Sequence, residues 1–501
     1  MKRLLSLLLS MAVILGALTV LPPAASAAQA EPLTVPQIRI TTEDGNGTTL
    51  LKEDGYVDAT IEITDTDGSV LSSSIQFKVR GNSTAFYSIL KKAFTFKFGA
   101  KRDVLGMGKG KKWALIANAM DPSLLRNYIA VDFAHEMGLA YTSEQKFVEL
   151  WLDGSYRGCY TLMEPVQEGK DRVNIDIDSN GGKKDFLIER EENRVEEDVS
   201  YFKTDGIRWA VSEPEEPNDD QLAYIRSTMD GIVAVLKSGD RAQIEEKIDV
   251  ASFTRFYLLN ELYKTLDFDY SSVFFYYQDG KLYAGPVWDY DLSTGNMNPD
   301  INAKYKSAFA PDDALFCEKA HLYRYLCSQE WFVDEVKKVY RLYEPYISGI
   351  TAAGGLIDTL TAAYGEVFNR NYTQTEWRAN RRWLNLQNLV LPTFEANVEY
   401  LRDWLSTRNE WLMNYYDLFG ERFLFGDADA DGKITILDAT KIQRVLAALI
   451  DDPDGRIALR GNIMGDTLDI LDATLIQRFL VGIAVDAPFG SYFDYKPADE
   501  T

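Results

Sequence analysis

The chain has 501 residues, 46% of them hydrophobic and 12% aromatic, which is enough for a sizeable core in two or three domains. Its formal net charge of −23 would repel nucleic acids and anionic membranes, so neither is an expected partner. With only two histidines and three cysteines, a Ser-His-Asp hydrolase and a disulfide scaffold are both poor candidates.

The N terminus is typical of a secretory signal peptide. Lys2 and Arg3 precede an apolar run over 4–21, and small-residue cleavage sites follow at Ala27 and Ala30. Residues 1–30 are therefore predicted to be removed. The mature protein is expected to be secreted and extracellular, with no membrane segment after cleavage.

The first part of the mature chain is predicted to form strands at 37–41, 56–63, 74–79 and 93–98. In the last of these, three phenylalanines share one face and Lys97 lies on the other. An ammonium beside bulky apolar residues needs a partner, either phosphate oxygens or a carboxylate. The alternative is a lysine on the wet face of a half-buried sheet.

Basic and small polar residues surround these strands. The turn Arg80-Gly-Asn-Ser-Thr84 has backbone N–H groups that either meet an anion or only reverse the chain. A local basic run contains Lys101, Arg102, Lys109, Lys111 and Lys112. It either lies over phosphates or balances the acidic surface.

The next segment is predicted to be a helix that starts with Asp121 as N-cap and ends at Gly138. A hairpin follows, formed by 146–152 and 159–163 around Asp153-Gly154. Its second strand ends at Glu164, which either pairs with Lys97 or caps the strand. The region 219–263 is predicted to be helical.

An acidic β-ribbon follows these helices. Strands at 273–277 and 281–284 flank an Asp-Gly turn, and the return strand leads to Asp289 and Asp291. Side chains two apart in extended backbone point the same way, so both acids are suited to one Mg²⁺. Asp267 and Asp269 precede the outgoing strand and are expected nearby. The alternative is that these acids only form a turn or a solvated cap.

The region 311–419, after the ribbon, is predicted to be helical and to pack against the preceding half of the chain.

The strongest motif lies near the C terminus, where residues 427–438 have the spacing of a calcium loop. Gly432 makes its sharp turn and Lys433 offers a backbone carbonyl. The predicted Ca²⁺ ligands are Asp427, Asp429, Asp431, Lys433 and Asp438.

This loop and its helix are duplicated, because 435–446 matches 469–480, 34 residues further on. Two such units resemble a type I dockerin, a module that binds the cohesin domain of a cellulosome-type scaffold. The resemblance implies partner-facing residues at Ile436, Leu437, Lys441, Arg444, Ile470, Leu471 and Arg478. The second loop is one residue short and has Met464 at a ligand position, so its Ca²⁺ is expected to be weak or absent. Its remaining possible ligands are Asn462, Asp466 and Asp472.

Residues 35–415 resemble the CotH (spore-coat protein H) kinase family. The pieces that carry this resemblance are Arg80-Gly-Asn-Ser, Lys91-Lys-Ala-Phe-Thr-Phe-Lys97, 113–127, Tyr160-Thr-Leu-Met-Glu164 and Gly285-Pro-Val-Trp-Asp-Tyr-Asp291. The implied fold is α+β, with an atypical kinase-like catalytic domain over 31–420 whose C-terminal part is helical. A small all-α, EF-hand-like dockerin over 424–485 and a tail over 486–501 are expected to follow.

The resemblance implies transfer of the ATP γ-phosphoryl group to serine of a protein substrate. It assigns Mg²⁺ or Mn²⁺ to Asp289 and Asp291, and the acceptor hydroxyl to Asp267 or Asp269. Arg80, Lys92 and Lys97 would face phosphate oxygens, with Glu164 holding a lysine. Such a division suits a reaction that depends on positioning and charge neutralisation. The chain has no Walker loop and no His-Arg-Asp motif, so the choice of base stays open.

Two other functions remain open. Secretion, a dockerin and paired carboxylates also suit a glycoside hydrolase, although a hydrolase gains nothing from Arg80, Lys92 and Lys97. A non-catalytic binding subunit with a decayed kinase site is the second alternative. Nucleotide binding distinguishes the kinase from both.

Overall fold

The computed structural model describes residues 33–81, 85, 90–177, 185–192, 199–373, 388–418, 421–453, 455–463, 467–485, 487–490 and 492–495. The predicted signal peptide, the polar residues after Gly81 and Asp466 lie outside these ranges. Within them, no helix is both long enough and apolar enough to cross a membrane.

Seven strands close into a barrel in the order β1-β2-β3-β4-β5-β7-β6. Neighbours are antiparallel except β1 and β6, whose parallel pairing closes the barrel. Two 3₁₀ turns, Gly47–Thr49 and Lys52–Asp54, connect β1 to β2. The strands are β1 (Gln37–Thr42), β2 (Val57–Thr64), β3 (Val70–Arg80), β4 (Ala93–Asp103), β5 (Lys109–Ile116), β6 (Gln145–Leu152) and β7 (Ser155–Met163).

The barrel interior follows from the alternation of side chains along its strands. Phe94, Phe96 and Phe98 of β4 are buried inside it, as their shared face predicts, and Lys97 lies outside. The four early strands and the hairpin around Asp153 are confirmed, with β3 and β4 longer than predicted. Closure was not predicted, since it depends on pairing between strands distant in sequence.

A second sheet has the order β12-β11-β8-β10-β9. Its members are β8 (Phe186–Arg190), β9 (Tyr201–Thr204), β10 (Ile207–Glu213), β11 (Val273–Gln278) and β12 (Lys281–Ala284). The predicted ribbon is confirmed, because Gln278 pairs with Lys281 across the turn. The return strand therefore delivers Asp289 and Asp291 to the edge of this sheet.

The helical region 219–263 is divided into α2 (Asp219–Ser238), α3 (Arg241–Lys247) and α4 (Val250–Tyr263). Each begins with a side-chain cap: Asn218 accepts from the N–H of Gln221, Asp240 from that of Gln243, and Asp249 from that of Ser252. These caps satisfy the first N–H groups of each helix and so set the breaks.

The first helix, α1 (Arg126–Glu136), starts later than predicted. Leu124 has a left-handed backbone (φ +63°), so the residues before Arg126 do not continue the helix. Asp121 is therefore not the N-cap. Its carboxylate accepts from the N–H groups of Ser123 and Arg126 and forms a 2.6 Å ion pair with the Arg126 guanidinium.

The helical half contains α5 (Ala303–Phe309), α6 (Tyr323–Leu326), α7 (Glu330–Thr351), α8 (Leu356–Tyr372) and α9 (Phe394–Tyr415). A buried ion pair joins α9 to α4: Arg408 Nη2 lies 2.6 Å from Glu261 Oε1, and neither side chain is more than 1% exposed. Glu261 also accepts from the backbone N–H groups of Phe316 and Cys317. The pair therefore ties two helices to the loop between them. All three cysteines are free thiols.

The described elements within the predicted dockerin, 424–485, are helices, and a two-stranded sheet flanks them at its boundaries. Strands β13 (Glu421–Leu424) and β14 (Tyr492–Tyr495) pair antiparallel and enclose α10 (Ile436–Leu446), α11 (Arg456–Gly461) and α12 (Ile470–Leu480). The region predicted as a tail thus contributes a strand. Helices α10 and α12 pack through the buried Ala439, Ile442, Ala473 and Ile476.

Candidate functional site

A cavity of about 700 Å³ lies between the barrel and the second sheet. The ends of β3, β4 and β5 supply Arg80, Ala93 and Ile116, while Glu189 of β8 and Phe274 of β11 line the opposite wall. The loops after β12 and α4 and the start of α5 complete it. Its size is that of a typical small-ligand site.

Three of the four predicted acids meet in this cavity. Asp267, Asp289 and Asp291 all line it. Burial raises the pKa of Asp291 well above its ordinary value, and Asp289, Asp121 and Asp267 raise it further. A cation bound beside such a carboxylate stabilises its charged form. The donor set therefore fits a hard divalent cation, which accepts carboxylate oxygens and keeps room for water and phosphate.

Asp289 and Asp291 both face the cavity, but not because they lie two apart in extended backbone. Asp289 is left-handed (φ +67°), so the simple alternation of a strand does not apply there. The Ser272 hydroxyl donates to Asp289 Oδ2 at 3.2 Å, and the Ser272 N–H donates to Glu189 at 3.0 Å. These bonds join the Asp289 loop to the start of β11 and to β8.

Hydrogen bonds with α1 also fix the loop that carries Asp289 and Asp291. Asn127 Oδ1 accepts the N–H of Tyr290 at 2.6 Å, between the two acids. Arg126 donates to the Thr294 hydroxyl at 2.7 Å and to the Ser293 carbonyl at 3.2 Å. The acids thus have a rigid support made of buried groups.

Asp269 is not placed in the cavity, contrary to the prediction. Its Oδ1 accepts the backbone N–H of His321 at 2.8 Å and lies 3.9 Å from the Arg190 guanidinium. The turn after α4 makes Asp267 and Asp269 diverge, because Tyr270 and Ser271 donate their N–H groups to the carbonyl of Asp267. Of these two acids, Asp267 is the one that lines the cavity.

Arg80 is a barrel cation that lines the same cavity and interacts electrostatically with Asp289. Its guanidinium lies 5.0 Å from the centre of the Trp288 ring. Burial lowers its pKa, and Asp289 opposes that shift. Its buried Nη1 has no hydrogen-bond partner within the described part of the chain. A buried guanidinium N–H is costly to leave unpaired, so an anion in the cavity would satisfy it.

The other predicted cations are not in the cavity. Lys92 donates to the carbonyl of Ala85 at 3.0 Å, and Lys97 lies on the outer barrel face, 5.9 Å from the centre of the Tyr56 ring. Glu164 holds an arginine rather than a lysine, since Arg172 Nε is 3.2 Å from its Oε1. Burial raises the pKa of Glu164 to about 7, and Arg172 opposes the shift.

Lys304, at the start of α5, is a cavity residue that the sequence did not indicate. Its ammonium lies 4.4 Å from the centre of the Tyr270 ring. Burial lowers its pKa, and the charges of Asp267 and Asp269 oppose that shift. Lys304 lies in the first turn of α5, which Asn302 caps. Its sequence distance from the acids does not predict that it lines the cavity. Among the described residues that line the cavity, Arg80 and Lys304 are the two cations.

A second candidate metal centre lies in the C-terminal segment. Asp427, Asp429 and Asp431 place carboxylate oxygens within 4.8 Å of one another, the only such group of three among the described residues. Gly432 adopts the left-handed turn (φ +83°) that the loop spacing predicts. Asp438 closes the loop by accepting the N–H groups of Asp429 and Thr435, and Lys433 follows the turn.

The second loop retains only part of this arrangement. Asp472 accepts the N–H groups of Ile463 and Asp469, as Asp438 does in the first loop. Asn462 directly follows α11. Where the loops run into α10 and α12, four apolar side chains are each more than half exposed: Ile436, Leu437, Ile470 and Leu471.

Comparison with known proteins gives one family. The family model described as CotH kinase protein matches residues 77–412, more than half of the chain. The match contains every residue that lines the first cavity, from Arg80 to Tyr305. No curated protein matches the chain.

Proposed function

Since the chain belongs to the CotH kinase family, we propose that it is an atypical kinase that transfers the γ-phosphoryl group of ATP to a protein serine. Phosphoryl transfer needs a cavity of nucleotide size, acids for a divalent cation, and cations for the phosphates. The first cavity offers all three, with Asp289 and Asp291 opposite Arg80.

The residues have distinct parts in this reaction. Asp289 and Asp291 would hold Mg²⁺ or Mn²⁺, which when bound neutralises charge on the phosphate oxygens. Arg80 binds a phosphate oxygen from the barrel side through Nη1, for which the described part of the chain supplies no hydrogen-bond partner. Asp267 orients the serine hydroxyl and accepts its proton as that oxygen attacks the γ-phosphorus, while the bond from the γ-phosphorus to the β,γ-bridging oxygen breaks and ADP leaves.

The observation that carries the proposal is the buried Arg80 Nη1, which faces a cavity lined by three aspartate carboxylates and has no hydrogen-bond partner among the residues that the structure describes. Thermal melting with Mg²⁺-ATP tests it, because a ligand at 100 times its dissociation constant adds about 2.7 kcal/mol of stability. Transfer of ³²P from γ-labelled ATP to serine tests the reaction itself. Stabilisation by an oligosaccharide instead of the nucleotide would support a glycoside hydrolase.

Lys304 gives a first prediction. We expect Lys304→Met to lower the turnover number for phosphate transfer by about tenfold to a hundredfold, because a cation at the reacting phosphate stabilises transition-state charge. The measurement is initial-rate kinetics at saturating ATP. Lys306→Met changes an exposed lysine two residues further along α5 and should leave the rate unchanged. Equal rates for both variants would remove Lys304 from the reaction.

We further propose that the enzyme is exported and attached to a scaffold through its C-terminal segment. The helices of the two duplicated units start with matching exposed apolar pairs, Ile436 with Leu437 and Ile470 with Leu471. Exposed apolar groups of this kind suit a cohesin partner. The enzyme would then act outside the cell, at the cell surface or within a cellulosome-type complex.

The calcium loop gives a second prediction. We expect one strong Ca²⁺ per chain, and Asp429→Asn should abolish the stabilisation that Ca²⁺ gives, because a hard cation loses a charged oxygen ligand. Titration calorimetry measures the stoichiometry, and melting with Ca²⁺ or EDTA measures the stabilisation. Asp451→Asn, an exposed residue after α10, is the matched control. Unchanged Ca²⁺ binding in Asp429→Asn would contradict the assignment.

A further inference from the structure

A second cavity of about 370 Å³ opens beside the first, on the outer face of the barrel. Arg80, Gly81 and Pro165 line both cavities. The second is therefore an extension of the site at the end where Arg80 faces Asp289. Apart from these three shared residues, none of the residues described around the second cavity lines the first.

The register of three strands explains why this face is cationic. Lys78 and Arg80 of β3 alternate with the buried Phe77 and Val79, so both point out of the barrel. On the neighbouring strands Lys97 of β4 is directly opposite Lys112 of β5. Like charges at opposed positions destabilise a sheet. This arrangement is costly for the fold and favourable for an anion.

The residues that line the second cavity also favour binding of an anion. Among the residues described around this cavity, four are cations and none is a carboxylate: Lys52, Lys78, Arg80 and Lys112 are the cations. The ring of Tyr56, which also lines this cavity, contacts two lysines: Lys78 Nζ is 4.5 Å and Lys97 Nζ is 5.9 Å from its centre. Glu215 is 3.9 Å from Lys112, at the long end of ion pairing, and its side chain is 75% exposed.

This local charge is opposite to that of the whole chain, which carries −23. A surface that only balanced the acidic protein would not need to form a hollow joined to the phosphate end of the site. Basic hollows bind carboxylate or phosphate groups, and they gain most when the ligand carries several such groups close together.

We propose that the second cavity binds acidic side chains of the acceptor protein next to the serine that is phosphorylated. This inference rests on the proposed kinase function, because Arg80 marks the phosphate end of the first cavity. A serine delivered to Asp267 at that end carries its neighbouring residues past the second cavity. The enzyme therefore selects serines in acidic segments, even though its overall charge repels them.

The test uses the full mature chain and three fluorescent peptides with one serine, flanked by aspartates and glutamates, by alanines, or by lysines. Fluorescence anisotropy without nucleotide measures binding, and ³²P transfer measures kcat/KM. We expect the acidic peptide to bind at least tenfold more tightly than the other two, with affinity falling as salt rises. Lys78→Glu and Lys112→Glu should each abolish this preference while leaving the KM for ATP within twofold.

Lys203→Glu makes the same charge change at an exposed position on β9 and should preserve the preference. Equal binding of all three peptides would overturn the inference. So would an increased KM for ATP in Lys78→Glu without any change in peptide preference, because the cavity would then belong to the nucleotide. Tight, Lys78-dependent binding of the acidic peptide without phosphate transfer would support the cavity assignment and overturn the kinase function alone.

Discussion

Asp289→Asn is expected to lower kcat for phosphate transfer by about a thousandfold or more, equivalent to about 4 kcal/mol of transition-state stabilisation. The substitution keeps the size of the side chain and its hydrogen bond with Ser272 but removes a charge that a divalent cation needs. It also removes the charge that faces Arg80. Single-turnover transfer from γ-labelled ATP measures the effect, since it isolates chemistry from product release.

The matched control for this variant is Asp279→Asn, at the turn of the same ribbon. Asp279 also has a left-handed backbone (φ +50°), a conformation that asparagine tolerates. It lies at the opposite end of the ribbon from the cavity, and its variant should transfer phosphate at the wild-type rate. Full activity in Asp289→Asn would exclude the proposed metal site.

Arg408→Met is expected to cost about 3–5 kcal/mol of unfolding free energy. Removing one partner of a buried ion pair leaves an uncompensated charge, in this case Glu261, whose side chain is 1% exposed. Arg408 also donates to the carbonyls of Pro311 and Ala314, and these bonds are lost with it. Urea denaturation followed by circular dichroism measures the change.

Two further variants separate charge from packing. Arg402→Met, six residues earlier on α9, removes more exposed ion pairs to Asp358 and Glu399 and should change stability only slightly. The double variant Glu261→Gln with Arg408→Met should be more stable than Arg408→Met alone, because no charge is then left buried. If Arg408→Met unfolds at the wild-type urea concentration, the pair does not stabilise the fold.

Local patterns in the sequence predicted local structure well. The loop over 427–438, which we propose binds Ca²⁺, could be recognised because its predicted ligands lie within twelve residues and its turn needs Gly432. The ribbon that delivers Asp289 was recognisable for the same reason, since a two-residue turn fixes the pairing of its strands. Both predictions depend on contacts that are close along the chain.

Contacts between distant segments were predicted less well. The prediction that Lys97 lies on the outer face of β4 is correct. The face of a strand does not determine which end of the strand a side chain is near, and so it did not show that Lys97 is far from the cavity. Arg80 pairs with Ala93 across β3 and β4, and Lys97 is four residues further along, about 13 Å away. In the same way, Arg172 and not a lysine reaches Glu164, and Lys304 joins the site from a helix with no distinctive pattern.

Barrel closure has a consequence for where the catalytic unit begins. The family match starts at Phe77, inside β3, whereas β1 and β2 complete the ring that supports Arg80. A polypeptide shortened to the matched segment would leave the hydrogen-bonding edges of β6 and of the remainder of β3 uncovered, and such edges recruit other chains. The autonomous folding unit therefore includes the first strand, Gln37–Thr42, which lies forty residues before the recognisable homology.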